Sequence, residues 1–495
     1  MTPDVGLVAR LVERVGTHLL APPKSTDPVL TFGDPDEIMA AFSDSVPLDF
    51  LDAEPAHDAD DLLAATEAVI SWSVNTSHPR FVNQNFAAPD PVGVVGDWLG
   101  AVLNTTGATY EVAPVFTLME HAVLDKLARV AGFPRATTTD DVPPGMFCPG
   151  GSVGLLFALQ LARHRHDPSI IARGATGERF AVFVSAAGHY SVRKAASLLG
   201  IGTDAVIAVA TDPNGAMDAR ALARAIDAAS DDDRTPLAVV ATAGTTVTCA
   251  FDPLDAIAEV CRSHELWLHV DGAYGGSALF SPQQRHRLDG IEKADSMVWD
   301  LHKMMGMTQQ CSVLLVRDPA RLDECFAAKA DYLFQPDKRN AVLDAGDRTF
   351  QCGRRTDVAK LWLSWKAHGD TGFAARIDHA VALADHVRTR VDEVDGTFAF
   401  AARGDFTNVC LLWLPPELRT LDPEALSVLD RSRLHALAPA VKARMQDDGS
   451  AMIGYQPLDG LNCFRLIFMN PQVATDDADA LLGLIDRYAS EVWTS

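Results

Sequence analysis

Several things are scarce in this chain, and each absence removes a class of protein. Its eight cysteines (Cys148, Cys249, Cys261, Cys311, Cys325, Cys352, Cys410 and Cys463) form no CxxC pair and no metal-ligand spacing. Several lie in apolar runs, as small buried hydrophobes of a reducing compartment do. No stretch approaches the ~18 apolar residues of a membrane span. The first residues carry Asp4, Arg10 and Glu13 without a long apolar core, so no signal peptide is expected. Basic residues are few: 42 Lys and Arg stand against 66 Asp and Glu, a formal charge of −24. That balance argues against nucleic acid or an anionic membrane surface as partner. There is no internal repeat, no low-complexity segment, no Walker loop and no GxGxxG dinucleotide fingerprint. A soluble, cytoplasmic protein is expected.

What is present is ample core material. Hydrophobic residues make up 48% of 495, enough for globular packing and too long a chain for one small core. Residues 1–60 mix short helical patterns with Pro- and Asp-rich turns, and 61–75 read as a helix. His78–Phe86 reads as an extended polar–aromatic stretch. From Gly150 onward, helices and short apolar strands alternate. Strands are expected at Phe180–Ser185, Ala205–Val209, Leu237–Thr242, Leu266–Val270, Met297–Trp299 and Ser312–Val316. Helices are expected from Gly150 to about Arg165, then at Ser191–Leu199, Asp218–Ala229 and Leu254–His264. Fully apolar strands between helices imply a sheet covered on both faces and mainly parallel, with ligands at the strand ends. After about residue 365 the pattern becomes a long helix (Phe373–Val391), strands near Val409–Leu414 and Phe464–Met469, and a last helix near Asp476–Ala489. That is a smaller α+β domain.

The chemistry-bearing residues fall at the ends of the expected strands. Leu268-His269-Val270-Asp271 ends one strand in an acid, and Trp299-Asp300-Leu301-His302-Lys303 follows the next. An acid and a lysine so ordered suit an aldehyde cofactor, pyridoxal 5'-phosphate: Lys303 holds it as an imine and Asp271 pairs with the pyridine nitrogen. A carboxylate at the end of an apolar strand is costly unless paired, so a buried Arg–Asp pair is the competing account. Cys148-Pro149-Gly150-Gly151-Ser152-Val153 precedes a helix, where small residues and a helix N-terminus suit one phosphate, with Ser152 as N-cap. A plain capped turn fits those residues as well. His189 would stack on one face of the cofactor ring, with the small Ala273 on the other. Thr242 would bond a ring substituent or cap a turn.

These motifs, taken together, resemble the pyridoxal-phosphate-dependent group II amino-acid decarboxylases, and within them the glutamate and cysteine sulfinate decarboxylase branch. The resemblance rests on His78-Pro79-Arg80-Phe81, Thr109-Tyr110-Glu111-Val112-Ala113-Pro114, Pro149-Gly150-Gly151-Ser152 and Ala241-Thr242-Ala243-Gly244-Thr245-Thr246. It continues through Trp267-Leu268-His269-Val270-Asp271, Tyr332-Leu333-Phe334-Gln335-Pro336-Asp337-Lys338, Gln351-Cys352-Gly353-Arg354 and Gly454-Tyr455-Gln456-Pro457. It implies a fold-type-I (aspartate-aminotransferase-like) α/β architecture. An N-terminal segment (1–100) would embrace a second subunit, ahead of a large cofactor-binding domain (101–365) and a small C-terminal α+β domain (366–495). It also implies a homodimer with shared active sites. Position by position, Lys303 resembles the imine lysine, Asp271 the pyridinium partner, and His189 and Ala273 the residues on the two ring faces. Ser152, Val153 and His302 match positions near the phosphate. Gln84 and Arg465 match substrate-binding positions, Arg465 gripping the α-carboxylate. Tyr332 matches the tyrosine that returns a proton to carbon after CO2 leaves.

The chain departs from the family pattern in places. Asp300-Leu301 stands for Asn-Pro, Gly154 for a serine, and Asp271-Gly272-Ala273-Tyr274 for Asp-Ala-Ala-Trp. Thr106-Gly107-Ala108 replaces larger polar and aromatic residues, and Phe86 resembles the sulfinate branch. Side-chain donors for a substrate acid are Gln84, Asn85 and Thr106, none of them cationic. The expected reaction is α-decarboxylation of a small L-amino acid with an acidic side chain (cysteine sulfinate, aspartate or glutamate) to the amine and CO2. Decarboxylation of a non-acidic amino acid, an aminotransferase, a carbon–sulfur lyase and a catalytically silent binding protein remain the alternatives.

Overall fold

The structure, a computed structural model, describes residues 5–24, 26–42, 46–48, 59–134, 142–174, 177–328, 330, 332–335, 337–394, 396–420 and 427–494. The Asp-rich end of the leader and Pro336 lie outside them. Twelve strands run in chain order: β1 (Phe81–Val82), β2 (Gly145–Cys148), β3 (Phe180–Ser185), β4 (Val206–Val209), β5 (Thr235–Thr242), β6 (Trp267–Asp271), β7 (Ser296–Asp300), β8 (Ser312–Val316), β9 (Phe398–Ala402), β10 (Asn408–Trp413), β11 (Met452–Leu458) and β12 (Leu461–Ile467). The chain divides into two compact units. One holds residues 92–382 and 402–408; the other holds 1–91, 383–401 and 409–495.

The larger unit is built on a seven-stranded sheet of order β2-β8-β7-β6-β5-β3-β4. The five strands from β4 to β7 pair in parallel. β8 and β2 are antiparallel additions at one edge. Every residue of β3, β6, β7 and β8 is buried, as apolar strands covered on both faces require. One layer of the cover is the helix Gly151–His166, whose Leu155, Ala158, Leu159 and Ala162 pack with Val182, Val240 and Leu314. The two fully buried tryptophans keep their N–H groups satisfied: Trp267 donates to Ser296 Oγ at 2.9 Å and Trp299 to Ser277 Oγ at 3.0 Å.

The smaller unit carries a five-stranded sheet of order β1-β11-β12-β10-β9. Helices Val428–Asp447 and Thr475–Thr494 bury Leu434, Leu437, Val441, Leu481 and Ile485 in its core. The sequence pattern missed the first of these helices, because Pro439 interrupts it. The helix expected at Phe373–Val391 is the latter part of Val358–Glu393, which kinks where Gly369 takes a left-handed φ of 65°.

Candidate active site

Parallel strands deliver their C-terminal ends to one edge of the sheet, and the candidate residues of the larger unit sit there. β5, β6 and β7 are in register, Thr242 opposite Asp271 and Asp271 opposite Val298. Asp271 is buried and accepts the Ala273 N–H at 3.1 Å. Burial pushes its carboxyl above the ordinary aspartate value, while the positive charge of Lys303 opposes the shift. His189 follows β3 and orders its ring by a 2.8 Å hydrogen bond between Nδ1 and Ser191 Oγ. Burial holds its imidazole below the usual value, and the Asp271 carboxylate pulls it back up. Asp271, His189, Lys303 and Asp300 therefore lie within electrostatic reach of one another. Among the described residues no arginine pairs with Asp271, so the Arg–Asp pair left open by the sequence is not seen there.

Lys303 follows β7 through a short turn, and its ammonium lies 3.0 Å from Asp300 Oδ2. Asp300 is itself buried and accepts a 2.6 Å hydrogen bond from Ser312 Oγ on β8. His302 is tied back to Cys311, Nδ1 accepting the Cys311 N–H at 3.2 Å. Its burial also lowers its pKa. The carboxylate of Asp300 explains one glycine: a Cβ on Gly151 would come within 2.9 Å of it.

Three features of this region fit pyridoxal phosphate. Thr242 Oγ1 is buried with no hydrogen-bond partner among the described residues, as a group that bonds a cofactor substituent should be. Asp271 is a buried carboxyl that a ring N–H⁺ would return to its ionised form. Gly150, at φ 92°, turns the chain into the helix Gly151–His166, whose first N–H groups suit a phosphate. The helix begins at Gly151, two residues before a Ser152 N-cap would start it. Its N-cap is Gly150, and Ser152 lies exposed in the first turn rather than capping. Gly154 does not face an anion. It is buried against the sheet, where a Cβ would meet Val298 Cγ2 at 2.5 Å and Cys148 Sγ at 3.2 Å.

Thr106 is held against the Gln351–Arg354 motif. Its hydroxyl donates to Cys352 O at 3.3 Å and accepts the Arg354 N–H at 3.0 Å. Arg354 in turn donates to Gly107 O at 2.6 Å and forms a buried pair with Glu120 at 2.5 Å. Tyr332 is 86% exposed. The segment that carries it is rooted by Lys338, whose Nζ donates to Leu333 O at 3.1 Å and pairs with Asp344 at 2.7 Å.

The smaller unit holds the other candidates. Arg465, on β12, is buried and donates from Nη2 to Asn83 O at 3.0 Å. Gln84 is exposed. Phe86 is half-buried, its ring 5.7 Å from that of Phe81, in a cluster with Val29, Leu30, Val74 and Met452.

Comparison with known proteins decides the class. Residues 44–414 match the model of the pyridoxal-dependent decarboxylase conserved domain. The chain belongs to this family. It is an amino-acid decarboxylase whose cofactor is pyridoxal 5'-phosphate. The decarboxylase is 45% identical over 435 residues to the cysteine sulfinic acid decarboxylase of Rattus norvegicus, covering 87% of this chain and 86% of the relative. An acidic amino acid decarboxylase of Bos taurus is 43% identical over 445 residues, covering 89% and 82%. Among solved structures, mouse CSAD superposes with a TM-score of 0.90 at 40% identity, over 98% of each chain.

The larger unit of the decarboxylase thus assembles Lys303, Asp271, His189, Ala273, Thr242, His302 and the start of the 151–166 helix, while Arg465, Gln84 and Phe86 belong to the smaller one. Sequence reasoning did not find the Asp300–Ser312 bond, the Lys338–Asp344 root or the Lys442 contact described below. Lys338 closes the motif that Tyr332 opens, and that spacing is the signal the sequence offers.

Proposed function

We propose that the decarboxylase removes the α-carboxyl group of a small L-amino acid with an acidic side chain, with cysteine sulfinate, aspartate and glutamate as the candidates. The observation that carries this reading is the gathering of Lys303, Asp271 and His189 at the ends of β3, β6 and β7. The names of the relatives, a cysteine sulfinic acid decarboxylase and an acidic amino acid decarboxylase, support the substrate class. Lys303 would hold the cofactor covalently, Asp271 would keep the proton on its ring nitrogen, and His189 and Ala273 would flank the ring. Thr242, Ser152, Val153 and His302 would bind its substituents and phosphate. The bound cofactor supplies a sink for the electron pair left on carbon when CO2 departs. Arg465 would fix the substrate's α-carboxylate; Gln84, Phe86 and Thr106 would shape the side-chain pocket. Tyr332 would return a proton to the substrate carbon.

A homodimer with shared sites completes this reading. Two consecutive helices of the larger unit, Pro91–Leu103 and Pro114–Ala131, expose Val95, Leu99, Val102, Val115 and Leu118, an apolar surface that a second copy would cover. In the smaller unit, the helix Val5–Leu20 buries no residue and exposes Val5, Val8, Val12 and Val15 at helical spacing. Its Arg14 pairs with Glu67 on the neighbouring helix. Such a face suits an N-terminal segment that embraces the partner. The eight cysteines, all among the described residues, form no disulfide with one another, which suits a reducing cytoplasm.

The test is CO2 release from a panel of cysteine sulfinate, aspartate, glutamate, cysteate, diaminobutyrate and aromatic amino acids. Highest kcat/KM is expected on a short acidic member. Preference for a basic or aromatic member would overturn the substrate class, and keto-acid formation without CO2 would overturn the reaction.

A further inference from the structure

Besides Arg465, the structure places a second cation, Lys442, against the segment that carries Gln84. Asn83 follows β1, which pairs in parallel with β11, Phe81 opposite Met452 and Val82 opposite Ile453. The next residue of β11, Gly454, is opposite Arg465 on β12. Because Gly454 has no side chain, three backbones come together: a Cβ there would lie 3.0 Å from Asn83 O and 3.1 Å from Arg465 O. Asn83 is buried and receives two cations, one on each of its oxygens. Arg465 Nη2 donates to its carbonyl oxygen at 3.0 Å. Lys442 Nζ, from the helix Val428–Asp447, donates to its side-chain oxygen at 3.0 Å. The ammonium also lies 5.8 Å from the centroid of the Tyr455 ring.

Lys442 is half-buried, although its stem is long enough to carry the charge to water. No carboxylate among the described residues pairs with it. Burial, and then the neighbouring Arg465, push its ammonium below the ordinary lysine value. Two like charges gathered on one residue repel each other, an arrangement that suits a site built to receive an anion.

We propose that Lys442 is a positioning residue: through Asn83 it holds Arg465, and the Gln84–Phe86 segment that follows, in the arrangement that receives an anionic substrate. This rests on the reading of Arg465 as the carboxylate-binding residue. The segment is then pinned at both ends, by the two cations at Asn83 and by the packing of Phe86 on Phe81, leaving Gln84 presented outward. The unneutralised charge of Lys442 further favours a substrate with a second acidic group.

The inference is tested with the holoenzyme and the best acidic substrate of the panel. Lys442→Met is expected to raise KM roughly ten-fold, the scale of one charge-assisted hydrogen bond, with kcat within about two-fold of the parent. Lys442→Arg should restore most of the loss. Asn83→Ala should raise KM similarly, and the double variant should be no worse than either single one, as for residues acting through one contact. Binding of succinate, a non-reacting dicarboxylate, measured by calorimetry should weaken by the same factor. If Lys442→Met fails to fold, Asn83→Ala carries the test. A fall in kcat at constant KM, or unchanged KM in both variants while Arg465→Met raises it, would overturn the role of Lys442 alone. Unchanged KM in Arg465→Met would overturn the carboxylate reading and this inference with it.

Discussion

Asp271 ends a buried strand and Lys303 follows another, and each has its environment organised by a neighbour rather than by solvent. Asp271 has one backbone N–H and a carboxyl that burial drives toward its neutral form. The cofactor's ring nitrogen would reverse that. Asp271→Asn removes the counter-charge with little change of shape, and kcat should fall roughly a hundred-fold or more, the scale of losing one preorganised electrostatic partner. Unaltered kcat at saturating cofactor would show that the ring proton is held by another group. Lys303→Ala should abolish borohydride-reducible absorbance in the purified protein; a reducible band that persists would place the cofactor on a different lysine. Gly154 makes the opposite point about a residue whose motif suggests function. Its Cα packs on Val298 and Cys148, so Gly154→Ser should cost about 1–3 kcal/mol by overpacking, seen as a lower Tm. A serine that left Tm unchanged and tightened cofactor binding would mean that the position serves the phosphate after all.

At the scale of the element, β6 couples packing to protonation. His269, in mid-strand, is fully buried, with Nδ1 2.8 Å from Ser296 Oγ on β7. Burial lowers its pKa to about 3, so the folded protein holds it neutral. The unfolded chain protonates it below about 6.5, and between those values the unfolded state binds more protons. Stability from this residue is therefore complete above pH 6.5 and declines as pH falls toward 3. His269→Gln should flatten the fall of Tm between pH 6.5 and 4.5 relative to the parent, read by scanning calorimetry. Parallel slopes would contradict the assignment. Asp252, whose carboxyl burial raises to about 7, acts in the opposite sense, and it is common to both proteins, so the comparison isolates His269.

For the whole molecule, the proposed dimer has a direct consequence. If each site takes Lys303 from one subunit and Tyr332 from the other, subunits carrying Lys303→Ala mixed with subunits carrying Tyr332→Phe form heterodimers with one intact site. After random reassociation roughly a quarter of parental activity should return, although each variant alone is impaired, as follows from two-fold symmetry. No recovery in a mixture shown to contain heterodimers would place both residues in the same subunit's site. The exposure of Tyr332 and the uncovered valines of the 91–103 helix are what this arrangement would use.

From Gly151 to Val316 the alternation of strands and helices in the larger unit was legible in the chain itself, whereas β2 and the helices 91–103 and 114–131 before it were not. Fully apolar runs such as Phe180–Ser185 and Leu237–Thr242 have one stable use, as strands covered on both faces, and the acid and the His-Lys that end the later strands keep their place in any such sheet. Long motifs around Thr242, Asp271 and Lys303 marked the cofactor chemistry for the same reason: their residues are local in sequence. Tertiary structure alone decided the rest. That Gly150 and not Ser152 caps the helix depends on a left-handed turn, and that Gly154 meets Val298 depends on how helix and sheet pack. Pro439 hid a helix whose apolar face is defined only by the sheet beneath it. The Lys442–Asn83 bond joins residues 359 apart and the Arg465–Asn83 bond residues 382 apart. Contacts at such separations leave no periodicity or spacing in the chain, because they come into being only when β1, β11 and β12 pair and the helix Val428–Asp447 packs beside them.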